Sequence, residues 1–257
     1  MHEMPPKYRI GSIDFTASTF AKALDLIDTA ARKSTERGIS IHFANAYNIA
    51  LAEHDSEYQQ VMNSGDLVFT DGTPVVWAGK RLFPGHEWER VYGPDAMQAI
   101  LAQRSQVPNS HYFLGSTPDT LQKLVQRVKS EFPNTVVAGF ESPPFATPTQ
   151  AELSERDLRI KKSGASIVWV GLGTPKQDYE VNRLVANMSV TAIAVGAAFD
   201  FIAGTVSQAP TWMQKYGLEW SYRLAKEPRR LARRYFWGNP QFVSSVVRHR
   251  NHEGTDD

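Results

Sequence analysis

A chain of 257 residues in which 42% of the side chains are hydrophobic can bury a sizeable core, as one large domain or as one domain with an appendage. The sequence contains no cysteine, which excludes disulfide bonds and thiolate metal sites. No apolar run approaches the length of a membrane-spanning helix, and the first nine residues lack the apolar segment of a signal peptide, so we expect a cytoplasmic protein.

The formal net charge of +1 conceals an uneven distribution along the chain. Residues 215–250 contain nine Lys and Arg against two Glu, whereas residues 1–214 contain 19 basic and 22 acidic side chains. The basic C-terminal segment is also rich in aromatic residues. This asymmetry indicates a polyanionic partner, which could be a nucleic acid, an anionic membrane face or a phosphorylated substrate.

The predicted elements repeat one pattern: an apolar run rich in β-formers, a turn of small residues and an amphipathic helix. The apolar runs of this pattern lie at residues 38–43, 66–70, 112–114 and 168–170. Further strands are predicted at 135–140 and 190–195, and further helices at 17–33 and 149–163. Strands that alternate with helices predict an α/β fold, Rossmann-like, with a mostly parallel sheet and helices on both faces.

The alternation stops after Pro210, where the basic segment begins. We therefore predict an α/β domain that carries the site over residues 1–210 and a C-terminal basic helical appendage over residues 211–257. In the appendage an apolar stripe recurs at helical spacing, although Pro228 must break or restart the helix. Basic amphipathic helices with aromatic residues suit an anionic membrane surface, but a helical subdomain that packs its stripe on the core fits the pattern equally well.

A glycine-rich turn, Gly171-Leu172-Gly173, directly follows the apolar run that ends at residue 170. Thr174 is a good helix cap, Pro175 suits the first helical position, and Gln177 would complete a capping box with Thr174. The same pair of a threonine cap and a proline occurs at residues 73–74 and 117–118. A strand, a glycine turn and an open helix start can bind an anion such as a diphosphate, although many ordinary α/β turns have this shape.

Polar residues follow other predicted strands as well. Ligands of parallel sheets bind beyond the carboxyl ends of the strands, so Asn45, Asp71, Gly115 and the turn at 171–177 are expected to face one crevice. Asp71 could remove a proton from an incoming hydroxyl, particularly if burial raises its pKa, or it could cap the next helix. Asn45 could bind a substrate hydroxyl or satisfy its own turn.

Two further candidates lie near the glycine turn in the predicted fold. Lys176 occupies the first turn of a predicted helix, where a lysine is electrostatically disfavoured unless an anion is bound. Asp200 follows small residues at the end of a predicted strand. Its carboxylate could accept hydrogen bonds from a ribose or another sugar, or it could cap a turn.

Several common nucleotide and metal motifs are missing from the sequence. It contains no Asp-x-Asp triplet to clamp a metal-bound sugar nucleotide, no P-loop of the Gly-x-x-x-x-Gly-Lys-Ser/Thr type and no Gly-x-Gly-x-x-Gly fingerprint. The seven histidines show no ligand spacing that is backed by a carboxylate. We therefore expect catalysis without a metal.

A series of motifs, taken together and in order, resembles the bacterial WecG/TagA/CpsF glycosyltransferase family over about residues 45–235. The motifs include Asp71-Gly72-Thr73-Pro74, Glu89-Arg90-Val91-Tyr92-Gly93-Pro94-Asp95, the turn from Gly171 to Gln177, Val195-Gly196-Ala197-Ala198-Phe199-Asp200 and Gly217-Leu218-Glu219-Trp220. The number and order of the motifs make the resemblance specific.

The resemblance implies an inverting, metal-independent transferase that needs no cofactor. Such enzymes move a sugar from a UDP-sugar donor to a saccharide that is linked by diphosphate to a polyprenol. They work at the cytoplasmic face of the inner membrane. The resemblance therefore implies three partners for this chain: a UDP-sugar, a polyprenyl-diphosphate-linked acceptor and the membrane surface.

The resemblance also assigns roles to residues of this sequence. Asp71 becomes the general base on the acceptor hydroxyl, and Asn45 and Gly72 hold substrate beside it. The UDP group would lie against or near Gly171, Gly173, Lys176, Gln177 and Asp200. The phosphates of the donor or of the lipid acceptor would be met by Arg223, Arg230 and Arg233.

Two departures from the family pattern bear on the donor sugar. Phe43-Ala44-Asn45 stands where many members have Thr-Pro-Asn, and Gln208 stands where members often have arginine. These departures favour a neutral hexose, and hence a UDP-glucose-dependent hexosyltransferase of exopolysaccharide or surface-glycan synthesis. The alternative donors are UDP-N-acetylmannosamine and UDP-N-acetylmannosaminuronic acid.

Two interpretations outside this enzyme class are also open. A nucleic-acid-binding protein could use the basic aromatic segment, but this hypothesis leaves the strand-end crevice unexplained. A regulator could bind a UDP-sugar without turning it over. We expect the enzyme, with no nucleic-acid partner and peripheral on the inner membrane, and the apolar stripe could serve a homo-oligomer interface.

Overall fold

A computed structural model of the chain describes residues 4–33, 37–103, 109–210, 212–213 and 219–249, except for the side chains of residues 33, 230 and 233–235. By their contacts the residues group into two compact units. The first unit comprises Met1–Phe20, Phe43–Tyr92 and Ser207–Asp257. The second unit comprises Ala21–His42 and Gly93–Val206.

The strands of the described residues are β1 (Lys7–Ile10), β2 (Ile13–Thr16), β3 (Ile39–Ala44), β4 (Leu67–Thr70), β5 (Ser110–Gly115), β6 (Val136–Glu141), β7 (Ile167–Gly171) and β8 (Thr191–Ala194). The first two form a separate antiparallel pair. The others form one sheet in the order β4-β3-β8-β7-β5-β6, in which the β3–β8, β8–β7, β7–β5 and β5–β6 pairs are parallel.

The helices that follow these strands are α1 (Phe20–Lys33), α2 (Ala46–His54), α3 (Ser56–Ser64), α4 (Thr73–Leu82), α5 (Gly93–Ala102), α6 (Pro118–Glu131), α7 (Gln150–Ser163), α8 (Lys176–Asn187), α9 (Ala198–Ala203), α10 (Glu219–Lys226) and α11 (Pro228–His249). The alternation of parallel strands and helices confirms the predicted α/β fold. The break predicted at Pro228 is also confirmed, because α10 ends two residues before α11 begins there.

The core of the second unit shows why the central strands are continuous apolar runs. Side chains of β5, β7 and β8 pack with Val181 and Leu184 of α8 in one buried cluster. The β7 residues from Ile167 to Val170 are buried on both sides, since alternate side chains point to opposite faces of a sheet. Such strands read as unbroken hydrophobic sequence rather than as an alternating pattern.

The N-terminal β1–β2 pair is an element that the sequence analysis missed. Its two strands are four residues each and are joined at Gly11-Ser12, where Gly11 has a φ of +62°. A side chain at Gly11 would collide with Ile49 of α2, so glycine is required there by both conformation and space. Strands this short give only a weak periodic signal.

The C-terminal helices group with the first unit. The ring of Trp237 on α11 lies edge-on to Tyr47 of α2, with 6.3 Å between centroids, and Ser245 Oγ donates to Glu53 at 2.6 Å. A β-carbon at Gly238 would lie 3.2 Å from the Tyr47 ring, so the two helices approach closely. The domain boundary predicted after Pro210 stays a prediction, and a separate C-terminal appendage is not confirmed.

Candidate functional site

A pocket in the first unit brings together the chain segments after β3 and β4 with α10. The Asp71 N–H donates to the carbonyl of Ala44 at 2.9 Å, which aligns the two segments. The pocket has a volume of about 820 Å³, open solvent included. Its polar lining residues include Asn45, Asp71, Arg90, Tyr92, Glu219 and Arg223. The convergence of charged and polar groups in one concave site suits a small-molecule ligand.

Asp71 holds a partly desolvated carboxylate in this pocket. Its Oδ1 atom is buried and has no hydrogen-bond partner among the described atoms. The pKa of Asp71 is raised to about 6 as the net of several effects, of which burial, the largest, and the negative charge of Glu219 act upward. The cations Arg90 and Arg223, and a hydrogen bond from Asn45, lower that pKa. A carboxylate with this pKa is ionised at neutral pH yet binds a proton readily.

Asn45 has two structural partners. It is the N-cap of α2, and its Oδ1 accepts from the backbone N–H of Tyr47 at 3.0 Å, while its own N–H donates to Asn48 Oδ1. Since the amide oxygen is engaged by the helix start, the amide nitrogen is the group that donates to the Asp71 carboxylate. Asn45 thus satisfies its own turn, as one of the two alternatives had it, and it also contacts the predicted base. Its binding of a substrate hydroxyl stays a prediction.

Gly72 lies directly beside this pair and is the N-cap of α4. A β-carbon at Gly72 would approach the Asn45 β-carbon to 3.3 Å, so the glycine allows a close fit between the two turns. Thr73 is therefore the first residue of α4 and not its cap, contrary to the predicted pairing of cap and proline. Thr117 does cap α6 as predicted, with its side chain accepting from Thr120 N–H.

A hydrogen-bonded network of Arg90, Tyr92 and Glu219 forms one wall of the pocket. Arg90 Nη2 donates to Glu219 Oε2 at 2.5 Å, and the Tyr92 hydroxyl donates to Glu219 Oε1 at 2.7 Å. Arg90 Nε donates to the backbone carbonyl of Asp71 at 3.0 Å, and its guanidinium carbon lies 4.1 Å from the Tyr92 ring centroid. Burial lowers the pKa of Arg90, but the carboxylates of Asp71 and Glu219 raise it, and the net result lies above the ordinary arginine value.

None of these three residues is assigned an individual role by the sequence alone. Arg90 and Tyr92 stood only within a family motif, and Glu219 within another that lies more than 120 residues away. The one local signal was that Glu219 is one of only two acidic residues in a strongly basic segment. Only the fold shows that this acid is buried against an arginine.

Of the three arginines predicted to contact phosphates, one has a described side chain and two do not. Arg223 lies one turn after Glu219 on α10 and lines the pocket. Arg230 and Arg233 lie on α11, and their side chains are outside the described residues. Their contacts with phosphate stay a prediction.

The glycine turn belongs to the second unit. Gly173 has a φ of +77°, which favours glycine because other residues pay a steric cost there. A β-carbon at Gly171 would lie 2.8 Å from the ring of Phe199, so glycine is needed for the close packing of β7 on α9. Both glycines therefore have a structural role, and the binding of UDP at this turn stays a prediction.

The predicted capping box at this turn is wrong. Pro175 is the N-cap of α8 without a side-chain cap, and the Thr174–Pro175 peptide bond is cis. The Oε1 atom of Gln177 accepts from the N–H of Gly173 at 3.1 Å and from the N–H of Gly196 at 3.0 Å. The buried Gln177 side chain thus joins two turns, rather than closing a box with Thr174.

Lys176 and Asp200 are the remaining residues of this region that were predicted to contact UDP. Lys176 is exposed at the start of α8, whereas the N–H groups of Gln177 and Asp178 already donate to carbonyls of the turn. Asp200 lies in α9, and its Oδ1 accepts from the Thr205 hydroxyl at 3.4 Å. These contacts fit the turn-capping alternative for Asp200, and a contact with sugar stays a prediction.

Within the described part of the chain, no group of three or more His, Asp and Glu side chains is arranged to hold a metal ion. Metal independence, expected from the missing motifs and from the family resemblance, stays a prediction. Among the same described residues, no helix combines the length and the apolar character needed to cross a bilayer.

Two comparisons with known proteins bear on this site. The chain matches the sequence profile of the family described as "Glycosyl transferase WecG/TagA/CpsF family" over residues 8–255. It is also 27% identical over 241 residues to an N-acetylglucosaminyldiphosphoundecaprenol N-acetyl-beta-D-mannosaminyltransferase of Bacillus spizizenii, which covers 93% of this chain and 90% of the relative.

Proposed function

The chain belongs to the WecG/TagA/CpsF glycosyltransferase family, and we propose that it transfers N-acetylmannosamine from a UDP-linked donor to N-acetylglucosamine carried on a polyprenyl diphosphate. The observation that carries the proposal is Asp71, whose carboxylate lies in a pocket with an amide donor and two arginines. The acceptor and donor sugars of the proposal are those of the N-acetylmannosaminyltransferase of Bacillus spizizenii.

The donor differs from the one that the sequence favoured. The departures at Phe43-Ala44-Asn45 and Gln208 pointed to UDP-glucose, with UDP-N-acetylmannosamine as an alternative. The N-acetylmannosaminyl donor of the Bacillus relative supports that alternative better. We therefore place UDP-N-acetylmannosamine first, UDP-glucose second and the uronic acid third.

Asp71 starts the proposed reaction as the general base. Its buried Oδ1 accepts the proton of the acceptor hydroxyl, whose oxygen then bonds to the anomeric carbon of the donor sugar. The bond between that carbon and the UDP oxygen breaks, and UDP leaves with the electron pair. Attack from the face opposite UDP inverts the configuration, so an α-linked donor gives a β-linked product.

Arg223 supplies positive charge in the pocket of the proposed base. It lines the pocket with Asp71 and lowers the pKa of Asp71, so its charge acts within the same pocket. Negative charge builds up on the leaving diphosphate, and the acceptor lipid carries a diphosphate of its own. A fixed cation beside either group stabilises the transition state without a metal. No cofactor enters this scheme, since UDP-sugar is a substrate.

A lipid-linked acceptor requires the enzyme to reach a membrane surface. Helix α11 exposes Phe236, Val243 and Val247, and their spacing of seven and four residues places them on one face of the helix. An exposed apolar face on a helix that is rich in arginine suits the interface of an anionic bilayer. We propose peripheral attachment through this face.

The proposed function is tested by following UDP release with purified protein and a short-chain polyprenyl-diphosphate N-acetylglucosamine. We expect release with UDP-N-acetylmannosamine only when the acceptor is present. A donor panel that includes UDP-glucose and UDP-N-acetylmannosaminuronic acid identifies the sugar. Release that does not depend on the acceptor, or the absence of release with every donor, would contradict the proposal.

A further inference from the structure

Glu219 is a buried carboxylate next to the proposed base, and the reaction above gives it no task. Its residue is 8% exposed, although it begins a helix in the most basic segment of the chain. Burying a carboxylate is costly unless it is paired, and Glu219 is paired on both oxygens by Arg90 and Tyr92. A charge that is buried at this cost in a pocket points to a role in the site.

The orientation of Arg90 suggests what that role is. The guanidinium contacts Asp71 through the backbone carbonyl, while its ion pair is with Glu219. The guanidinium carbon also lies over the Tyr92 ring, a cation–π contact that further restrains Arg90. Arg90 is therefore held close to Asp71 but directed at a different carboxylate.

We infer that Glu219 is a positioning residue of the active site, which holds the Arg90 guanidinium away from the Asp71 carboxylate and so preserves Asp71 as a base. The inference rests on the proposed function for its catalytic meaning. The pairing of Arg90 with Glu219, instead of with Asp71, does not depend on that function.

The physical reason is competition between two acids for one cation. An arginine that pairs directly with an aspartate lowers the aspartate pKa by about 1–3 units, and a weaker base takes a proton less readily. The negative charge of Glu219 adds to this effect, because it raises the pKa of Asp71 from a distance. The charged or hydrogen-bonding groups that act on Asp71 are Asn45, Arg90, Glu219 and Arg223.

Glu219 also anchors the helix that carries Arg223. The two residues are four apart on α10, so they share one side of the helix. The bonds from Arg90 and Tyr92 to Glu219 hold the first turn of that helix at the pocket wall. The same carboxylate thus positions one cation away from the base and another in the pocket.

The test compares Glu219→Gln and Arg90→Met, which the inference predicts to act in opposite directions on Asp71. In Glu219→Gln, Arg90 is free to pair with Asp71, and the acid limb of the kcat/KM profile moves down by about one pH unit or more. The plateau falls by roughly 3- to 10-fold because the base is weaker. In Arg90→Met the lowering cation is lost, and the limb moves up. Glu219→Asp, which keeps the charge, should hold the limb near its wild-type position.

A second readout does not depend on turnover. Carboxyl carbons of aspartate are titrated by NMR in the full-length protein, with the Asp71 signal identified by its loss in Asp71→Asn. The inference requires the Asp71 midpoint to fall in Glu219→Gln and to rise in Arg90→Met. If Glu219→Gln does not fold, Arg90→Met decides alone.

Shifts in the same direction, or an unmoved midpoint in either folded variant, would overturn the inference. Because loss of the Glu219 charge by itself also lowers the Asp71 midpoint, Glu219→Gln is repeated in the Arg90→Met background. The inference requires a clearly smaller fall there, since no Arg90 is left to pair with Asp71, and an equal fall in both backgrounds would overturn it. If the shifts appear but no donor supports transfer in the wild type, the proposed function fails while the pairing of Arg90 stands.

Discussion

The Asn45 side chain donates a hydrogen bond to the Asp71 carboxylate while its own oxygen caps helix α2. The start of a helix is thereby coupled to the residue that we propose as the base. The hydrogen bond lowers the pKa of Asp71, against the stronger effect of burial. Substitutions at either residue should therefore alter protonation and stability together.

Asp71→Asn should abolish most transfer. Loss of a positioned general base costs about 10²- to 10⁴-fold in rate. The affinity for UDP should not change, because the amide leaves the shape of the pocket intact. Turnover is measured by acceptor-dependent UDP release and UDP affinity by calorimetry. Transfer at the wild-type rate, with normal UDP binding, would show that another group is the base.

The wild-type enzyme should lose activity as the pH falls through about 6, the value to which burial raises the Asp71 pKa. Below that value the base is protonated, so kcat/KM should fall about tenfold for each further pH unit. The pH profile of kcat/KM is measured at constant ionic strength with the lipid acceptor. An acid limb near pH 4, the ordinary aspartate range, would contradict the burial effect.

Asp71→Asn should also stabilise the folded protein at pH 8. The folded-state pKa of Asp71 is raised from 3.8 to about 6, so the folded state holds the proton more tightly and the wild type loses stability as the pH rises through this window. Replacing the carboxylate by an amide should therefore increase the free energy of unfolding by about 1–3 kcal/mol at pH 8. Urea titrations at pH 8 and pH 4 check this, and the gain should shrink at the lower pH.

Asn45→Ser distinguishes the helix cap that Asn45 forms from its hydrogen bond to Asp71. Serine is a good N-cap, so stability should be kept, whereas Asn45→Ala should cost about 1 kcal/mol. The shorter serine side chain loses the bond to Asp71, which raises the Asp71 pKa and moves the acid limb of the activity profile to higher pH. Thermal melts and pH profiles of both variants test this. Equal stability of the serine and alanine variants would contradict the capping role.

Gln177→Ala should destabilise the second unit. Two backbone N–H groups, of Gly173 and Gly196, lose their shared acceptor, and each orphaned donor costs about 1–3 kcal/mol if it stays buried. Lys176→Ala is the matched control, because the neighbouring lysine is exposed. If the turn binds UDP, this control should weaken UDP affinity without a change in melting temperature. A Gln177→Ala protein with wild-type melting would mean that the bridge between the turns is dispensable.

Val243→Glu and Val247→Glu together should release the protein from anionic vesicles. Both side chains are about 60% exposed on one face of α11, and burying them in a bilayer interface is favourable only while they are apolar. Leu158→Glu on α7, which is 55% exposed, is the control for an added charge at an exposed apolar position. Vesicle sedimentation measures binding. If the α11 double variant sediments like the control, membrane attachment does not use this face.

The local parts of the site could be predicted from the sequence. Asp71 and Asn45 follow apolar strands, and parallel sheets carry their ligands at such strand ends. Thr117 before Pro118 was recognised as a cap because capping depends on residues only three apart. The capping box at Thr174 failed because Gln177 found a partner at Gly196, on another turn of the second unit.

By itself the sequence determined the α/β fold and the positions of Asp71, Asn45 and the glycine turn, because strand, turn and cap signals act between near neighbours in the chain. Only the tertiary structure decided that Glu219 lies against Arg90, 129 residues away, and that both face Asp71. The sequence around a charged residue does not identify a partner that lies far away along the chain. Burial selects those partners, since a desolvated carboxylate must find a cation or a donor wherever the fold supplies one.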